Sequence, residues 1–242
     1  MNKRTISERL AVCSWSLQPA TPQELVAKLR TTGIHRVQLA LDPLRESPDI
    51  WGETSALFQQ ADIALASGMF GCLGEDYSTL ESIRLTGGIA PDATWEHNQE
   101  NFQATATLAE TLKLRLVTFH AGFLPHEKTD PNFEKMLRRL RNVADLFLSH
   151  RLTLGLETGQ ESAPVLLGLL QSLERPNVRV NFDPANMLLY DKGDPVSALQ
   201  VLGPWIAKCT SKMPGVLGCP APGARRSQSA PVRLIGRIFS AY

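Results

Sequence analysis

Leu154-Gly155-Leu156-Glu157-Thr158-Gly159 and Val178-Arg179-Val180-Asn181-Phe182-Asp183-Pro184-Ala185-Asn186 are two short, β-prone apolar runs. Each ends on a carboxylate, and each is followed at once by turn or cap residues. Between them Val165, Leu166, Leu169, Leu170 and Leu173 fall at helical spacing. The unit is strand–helix–strand, with Glu157 and Asp183 at the carboxyl ends of two parallel strands. Ligands gather at such ends in α/β folds. Two carboxylates converging there suit a divalent cation with oxygen ligands. Helix caps or turn acids explain the same two residues, so at this level both readings stand.

The rest of the chain repeats this unit. Strands are expected at Leu10 to Trp15, His35 to Leu41, Ile63 to Phe70, Arg115 to His120 and from Trp205 to Cys209. Thr21-Pro22-Gln23-Glu24 is a capping box with proline at the first helical position, and Gly33 stops the helix it opens. Helices are also expected from Pro48 to Gln60, from Thr94 to Leu112 and after Asp194-Pro195. Asp130-Pro131 opens another, with Phe133, Met136, Leu137, Leu140, Val143, Ala144 and Phe147 facing inward. Gly71, Gly74, Gly87 and Gly88 mark a long irregular connection, a feature that is more often functional than idle. Seven strand signals alternating with helices predict a (β/α)8 TIM-type barrel, incomplete at its C-terminal end. No G-x-G-x-x-G follows the first strand, which weakens a dinucleotide-binding alternative.

Composition narrows the function classes. The chain has 242 residues, 43% hydrophobic and 20% charged, as in an ordinary globular protein able to bury a sizeable core. A net charge of +1 gives no argument for nucleic acid or an anionic membrane. Cys13, Cys72, Cys209 and Cys219 form no C-x-x-C pair and read as reduced thiols. Met1-Asn2-Lys3-Arg4 has no apolar signal core behind it, and no apolar run approaches the length of a membrane span. A cytoplasmic protein is expected.

Further candidates stand at strand ends. His120, in Thr118-Phe119-His120-Ala121-Gly122, can present a neutral imidazole to substrate or metal, and a core histidine bonded to backbone explains it equally well. Gln38 and Trp15 end earlier strands; Trp15 and Phe70 are aromatics of the kind most often found in a core, and an aromatic wall beside a ring-shaped ligand is the alternative. Gln160 and Asn186 each lie three residues past a carboxylate; lining a pocket and capping a helix explain them equally well. No serine–histidine or cysteine–histidine pairing has a recognisable signature.

The phrases LGLETGQE and NFDPANMLLYDKGDP, each after a strand, resemble the sugar phosphate isomerase/epimerase proteins of the xylose isomerase-like TIM barrel superfamily over about residues 9–208. The resemblance implies a single divalent metal, Mn2+ first, with Mg2+, Co2+ or Zn2+ as alternatives. Glu157 and Asp183 match two of its four ligands, and Glu157 is one of two glutamates that move a proton between neighbouring carbons. His120, Gln38, Trp15, Gln160 and Asn186 are then substrate-binding candidates, the partner is a small sugar, and a homo-oligomer is compatible. The remaining ligands implied are a histidine in an H-x-K-D phrase on the seventh strand and a glutamate on the eighth. Here the seventh strand reads Ala207-Lys208-Cys209-Thr210-Ser211-Lys212-Met213-Pro214, without histidine, and no eighth strand is readable.

One asymmetry bears on that departure. All acidic residues lie at or before Asp194; residues 1–208 carry −4, and 209–242 carry +5 from Lys212, Arg225, Arg226, Arg233 and Arg237. Cys209 to Pro214, written TGC ACA TCA AAG ATG CCN and read from the third letter, spell HIKDA, with histidine in the slot of Thr210. With favourable codons, the same displacement turns Gly223 to Ser240 into WGEEVPVGTGEVDWPDFF, which looks like the family's loop toward strand eight. The expectation is a barrel domain over 1–208 and an aberrant tail over 209–242, produced by loss of one nucleotide near codon 209. Such a chain would hold metal weakly or not at all and would lack isomerase activity. The alternatives are a non-catalytic remnant or binding protein with a genuine divergent tail, and an endonuclease IV-type repair enzyme. The last is disfavoured by five scattered histidines and the absence of a basic groove.

Overall fold

A computed structural model describes residues 9–125, 127 and 129–210. Its seven strands are β1 (Val12–Cys13), β2 (Arg36–Ala40), β3 (Ala64–Met69), β4 (Leu116–Phe119), β5 (Thr153–Glu157), β6 (Val178–Phe182) and β7 (Ile206–Cys209). They form one sheet in chain order, and every neighbouring pair is parallel. A doubly wound sheet would reverse its strand order part-way; a sheet that adds each strand beside the last is the barrel pattern.

Helices run outside the sheet. They are α1 (Pro22–Thr32), α2 (Asp42–Glu46), α3 (Pro48–Trp51), α4 (Thr54–Gln60), α5 (Leu80–Thr86), α6 (Trp95–Thr111), α7 (Pro131–Ser149), α8 (Ala163–Leu173), α9 (Pro184–Leu189) and α10 (Pro195–Leu202). The caps follow the local chemistry. Thr21 accepts from Glu24 N, Asp130 from Asn132 N and Asp194 from Ser197 N, each with proline in the first turn. All seven apolar residues expected on the inner face of α7 are buried. Between sheet and helices Phe70 stacks on Phe119 at 5.0 Å and on Phe147 at 5.6 Å, and Phe102 tilts against both Phe70 and Phe119. Each buried ring contributes about 1.5–3 kcal/mol of transfer free energy, so this cluster is a main anchor of the helical layer.

The interior of the curled sheet is polar near its carboxyl end. Gln38 on β2 donates to Thr118 Oγ1 on β4 at 2.8 Å and accepts from Cys13 Sγ on β1 at 3.4 Å. The same Gln38 Oε1 accepts from Lys208 Nζ on β7. A bond from the seventh strand to the second is possible only because the sheet curls round on itself.

Three expectations change. The first strand shrinks to Val12–Cys13, and Ser14–Leu17 turns into a 3-10 helix. Ser14 Oγ there takes the Ala40 N–H at 2.8 Å, replacing a ladder bond with a side-chain bond. The single helix expected from Pro48 to Gln60 is α3 and α4, broken at Gly52-Glu53, and α2 precedes it. The glycine-marked connection from Gly71 to Gly88 holds α5, opened by a capping box between Thr79 and Ser82. At the other end the β7 ladder runs on until Thr210 N donates to Phe182 O at 2.7 Å. The tail from 211 to 242, with any eighth strand, lies outside the described residues.

Candidate active site

The ends of β5 and β6 are sewn together by Thr158. Its N–H donates to Asn181 O at 3.0 Å, and its Oγ1 accepts from Asp183 N at 2.8 Å. This places Glu157, in register with Asn181, next to the strand end that carries Asp183. Asp183 is fully buried and caps α9: its Oδ1 accepts from Ala185 N at 2.9 Å and Asn186 N at 3.1 Å. Asn186 also reaches back, its Nδ2 donating to Glu157 Oε1 at 3.0 Å. One residue therefore holds both carboxylates, by its backbone and by its side chain. The capping reading therefore holds for Asp183, and Asn186 is brought against the Glu157 carboxylate.

Glycine at 159 makes room for that contact. A Cβ there would stand 2.8 Å from Asn186 Cβ. Gly159→Ala is therefore expected to push Asn186 off Glu157 and to cost about 1–2 kcal/mol through overpacking and a lost charge-assisted bond. A shifted Asn186 side-chain amide resonance with a lowered urea midpoint is the expected result; an unmoved resonance would count against the cradle.

Lys208 enters from β7. Besides Gln38 it donates to Thr210 Oγ1 at 3.0 Å, and that hydroxyl donates to Asn181 Oδ1 at 2.9 Å. Burial holds the Lys208 amine below the ordinary lysine range, against the opposing pull of Cys13, Glu157 and Asp183. Thr210, in the slot where the resemblance expects histidine, is buried and contributes only a hydroxyl.

The flank next to β5 comes from the connections after β3 and β4. His120 Nδ1 lies 3.9 Å from Glu75 Oε1. The Tyr77 ring meets the His120 ring edge-on at 6.4 Å, with its hydroxyl 3.4 Å from Glu75 Oε2. Burial lifts the Glu75 carboxyl above its usual range, opposed by bonds from Gly88 N and Cys72 N. Desolvation of its hydroxyl raises the Tyr77 phenol although the ring is half-exposed, and the charges of Glu75 and Glu157 add to this.

The remaining candidates are placed differently. Gln38 is buried, and its amide is engaged by Cys13, Thr118 and Lys208, so it braces the interior. Trp15, in the 3-10 turn, lines a separate cavity of about 230 Å³ with Ser14, Gln18, Pro19, Ala40, Pro43 and Trp51. Gln160 is buried, and its Oε1 finds no hydrogen-bond partner among the described residues. Glu75, Tyr77 and Lys208 escaped the sequence reading. The glycine-rich setting of Glu75 was a usable signal, and so was a lysine two residues before Thr210 on the same strand face.

A family model described as xylose isomerase-like TIM barrel matches residues 14–208, and the chain belongs to that family. Among solved structures it is similar to a xylose isomerase domain protein from Planctomyces limnophilus, with 26% identity and a TM-score of 0.71 over 76% of this chain and 67% of that one. It shares its fold with a probable 3-DHS dehydratase from Bacillus anthracis at 20% identity and TM-score 0.63, covering 83% of this chain and 72% of that one. The D-psicose 3-epimerase of Clostridium cellulolyticum H10 is alike in fold too, at 15% identity and TM-score 0.64, with 83% and 72% covered. No curated protein sequence matches the chain. Among the described residues no helix is long and apolar enough to cross a membrane.

Proposed function

We propose that this chain is a sugar, or sugar phosphate, isomerase/epimerase by descent, in which Glu157 moves a proton between adjacent carbons of the substrate. The observation that carries this reading is the pair of carboxylates at the tips of β5 and β6, both held by Asn186. Asn186 orients the Glu157 carboxylate, and Asp183 is fixed by two backbone donors at the start of α9. His120 and Tyr77 face the substrate from the β3 and β4 connections. Gln160 is assigned to the pocket wall and Gln38 to the brace beneath it, while Trp15 would act only from the neighbouring cavity. A cytoplasmic location and a homo-oligomer remain part of the proposal.

A divalent metal, manganese first, would polarise the carbonyl and hydroxyl oxygens of a sugar. The described residues do not make a cage for it. They offer Glu157 and Asp183, with one Asp183 oxygen committed to capping, and no group of three histidine, cysteine, aspartate or glutamate side chains gathers among them. No step is therefore routed through a metal. The chain as written is proposed to bind metal weakly and to lack isomerase activity, because residues 209–242 are read as the product of a one-nucleotide loss near codon 209.

The test pairs two proteins, the 242-residue chain and one in which the displaced frame is restored after Lys208. Each is assayed on a ketose panel with and without Mn2+. Turnover only in the restored protein is the expected outcome. Epimerisation by the 242-residue chain would refute the inactivity, and a clean gene across codons 205–215 would refute the displacement. Silence in both proteins favours a non-catalytic remnant.

A further inference from the structure

Lys208 is the one lysine or arginine of β7, and it points into the curled sheet rather than to solvent. Its ammonium reaches Gln38 across the interior and Thr210 on its own strand, and Thr210 continues to Asn181. Asn181 is the register partner of both Lys208 on one side and Glu157 on the other, and Asp183 lies two residues beyond it. Register therefore sets the half-buried Lys208 ammonium in the layer of Glu157, across β6 from it, with the Asp183 tip one layer further on. Neutral Gln38 and Thr210 supply its hydrogen bonds without cancelling its charge. A half-buried ammonium turned into the sheet interior is disfavoured without negative charge near it, and two neighbouring carboxylates repel each other without positive charge.

We propose that Lys208 is a positioning residue: it is the internal counter-cation of Glu157 and Asp183, and it holds the carboxylate pair together in this chain without any bound metal. A divalent cation then meets a field already partly neutralised. Only that consequence rests on the metal reading given above.

The test is a double-mutant cycle on the full chain in EDTA, with Lys208→Gln, Glu157→Gln and the double variant compared by urea denaturation. The midpoint shift caused by Glu157→Gln is expected to shrink by at least half in the Lys208→Gln background; additive shifts overturn the proposal. Lys208→Met replaces Lys208→Gln if the latter does not fold. If neither folds, Lys208→Arg decides: a folded arginine variant supports the charge role, and an unfolded one overturns it. A Mn2+ titration is the second arm. Affinity is expected to rise on the order of ten-fold or more in Lys208→Gln, because a unit charge beside the site is removed. Coupling in the cycle with no Mn2+ binding in either protein sustains the lysine assignment and sinks the metal reading instead. Equal Mn2+ affinity in both proteins overturns the shared field.

Discussion

Gly88→Ala is expected to lose about 4 kcal/mol of stability, a large share of the roughly 5–15 kcal/mol a folded domain has to lose. Gly88 has φ +63°, and a Cβ there would lie 2.0 Å from the Ala121 carbonyl carbon and 2.2 Å from Gly122 N. The obstacle is backbone, so no rotamer change relieves it. A left-handed conformation costs an L-residue about 1–2 kcal/mol, and forced overpacking adds about 1–3 kcal/mol. Separation of the strands of loop would also break the bonds from Ile89 N to Ala121 O and from Gly88 N to Glu75 Oε1. The second break leaves a buried carboxylate with fewer donors, and it withdraws Glu75 from His120. Gly33→Ala is the comparator. Gly33 has φ +67° with nothing within 4 Å of a Cβ, so it isolates the conformational cost of about 1–2 kcal/mol. Equal losses of urea midpoint in the two variants would show that the Gly88 contact is not the cause.

Glu161→Gln is expected to stabilise the protein at pH 8 and to leave it unchanged at pH 4. Burial pushes the Glu161 carboxyl up to about 7, against a bond from Leu124 N and the charge of Lys192. The folded state therefore keeps a proton that the unfolded chain releases near the ordinary value of 4.5. Stability falls as pH climbs from the unfolded to the folded value, and is flat above it. The difference amounts to about 3 kcal/mol at the plateau. Glutamine resembles the neutral acid in shape and can still accept from Leu124 N, but it has no ionisation to suppress. Urea midpoints of the two proteins from pH 4 to 8 should diverge steadily through this window. Parallel curves would mean that Glu161 ionises in the folded state as easily as in the unfolded one.

What the chain reveals before folding depends on how far apart the interacting residues are. The two strands that end on Glu157 and Asp183 are legible because apolar run, carboxylate and cap are contiguous. The inner face of α7 is legible because its period is local. Ser14 was misread as strand because its hydroxyl is claimed by Ala40, 26 residues away. Lys208 looked like an ordinary strand residue because the atom it meets on Gln38 is 170 positions earlier. Glu75 sat among turn formers, where an acid is unremarkable; its burial comes from Gly88 and from the β4 connection folding over it. Local chemistry predicts elements and their ends, and cross-sheet contacts decide which polar groups are drawn inside.

The lengths of the connections divide the mouth of the pocket into two unlike walls. On one side Pro184 begins its helix in the residue after Asp183, and five residues separate Glu157 from α8. On the other, ten residues join β3 to α5 and eleven join β4 to α7. A short wall in which Thr158, Asp183 and Asn186 share their bonds resists tinkering, because one exchange disturbs several partners at once. A long wall absorbs insertions and new side chains with little cost to the frame. Diversification of what the pocket admits is therefore channelled through the 70–79 and 120–130 connections, while the carboxylate side acts as the inherited part.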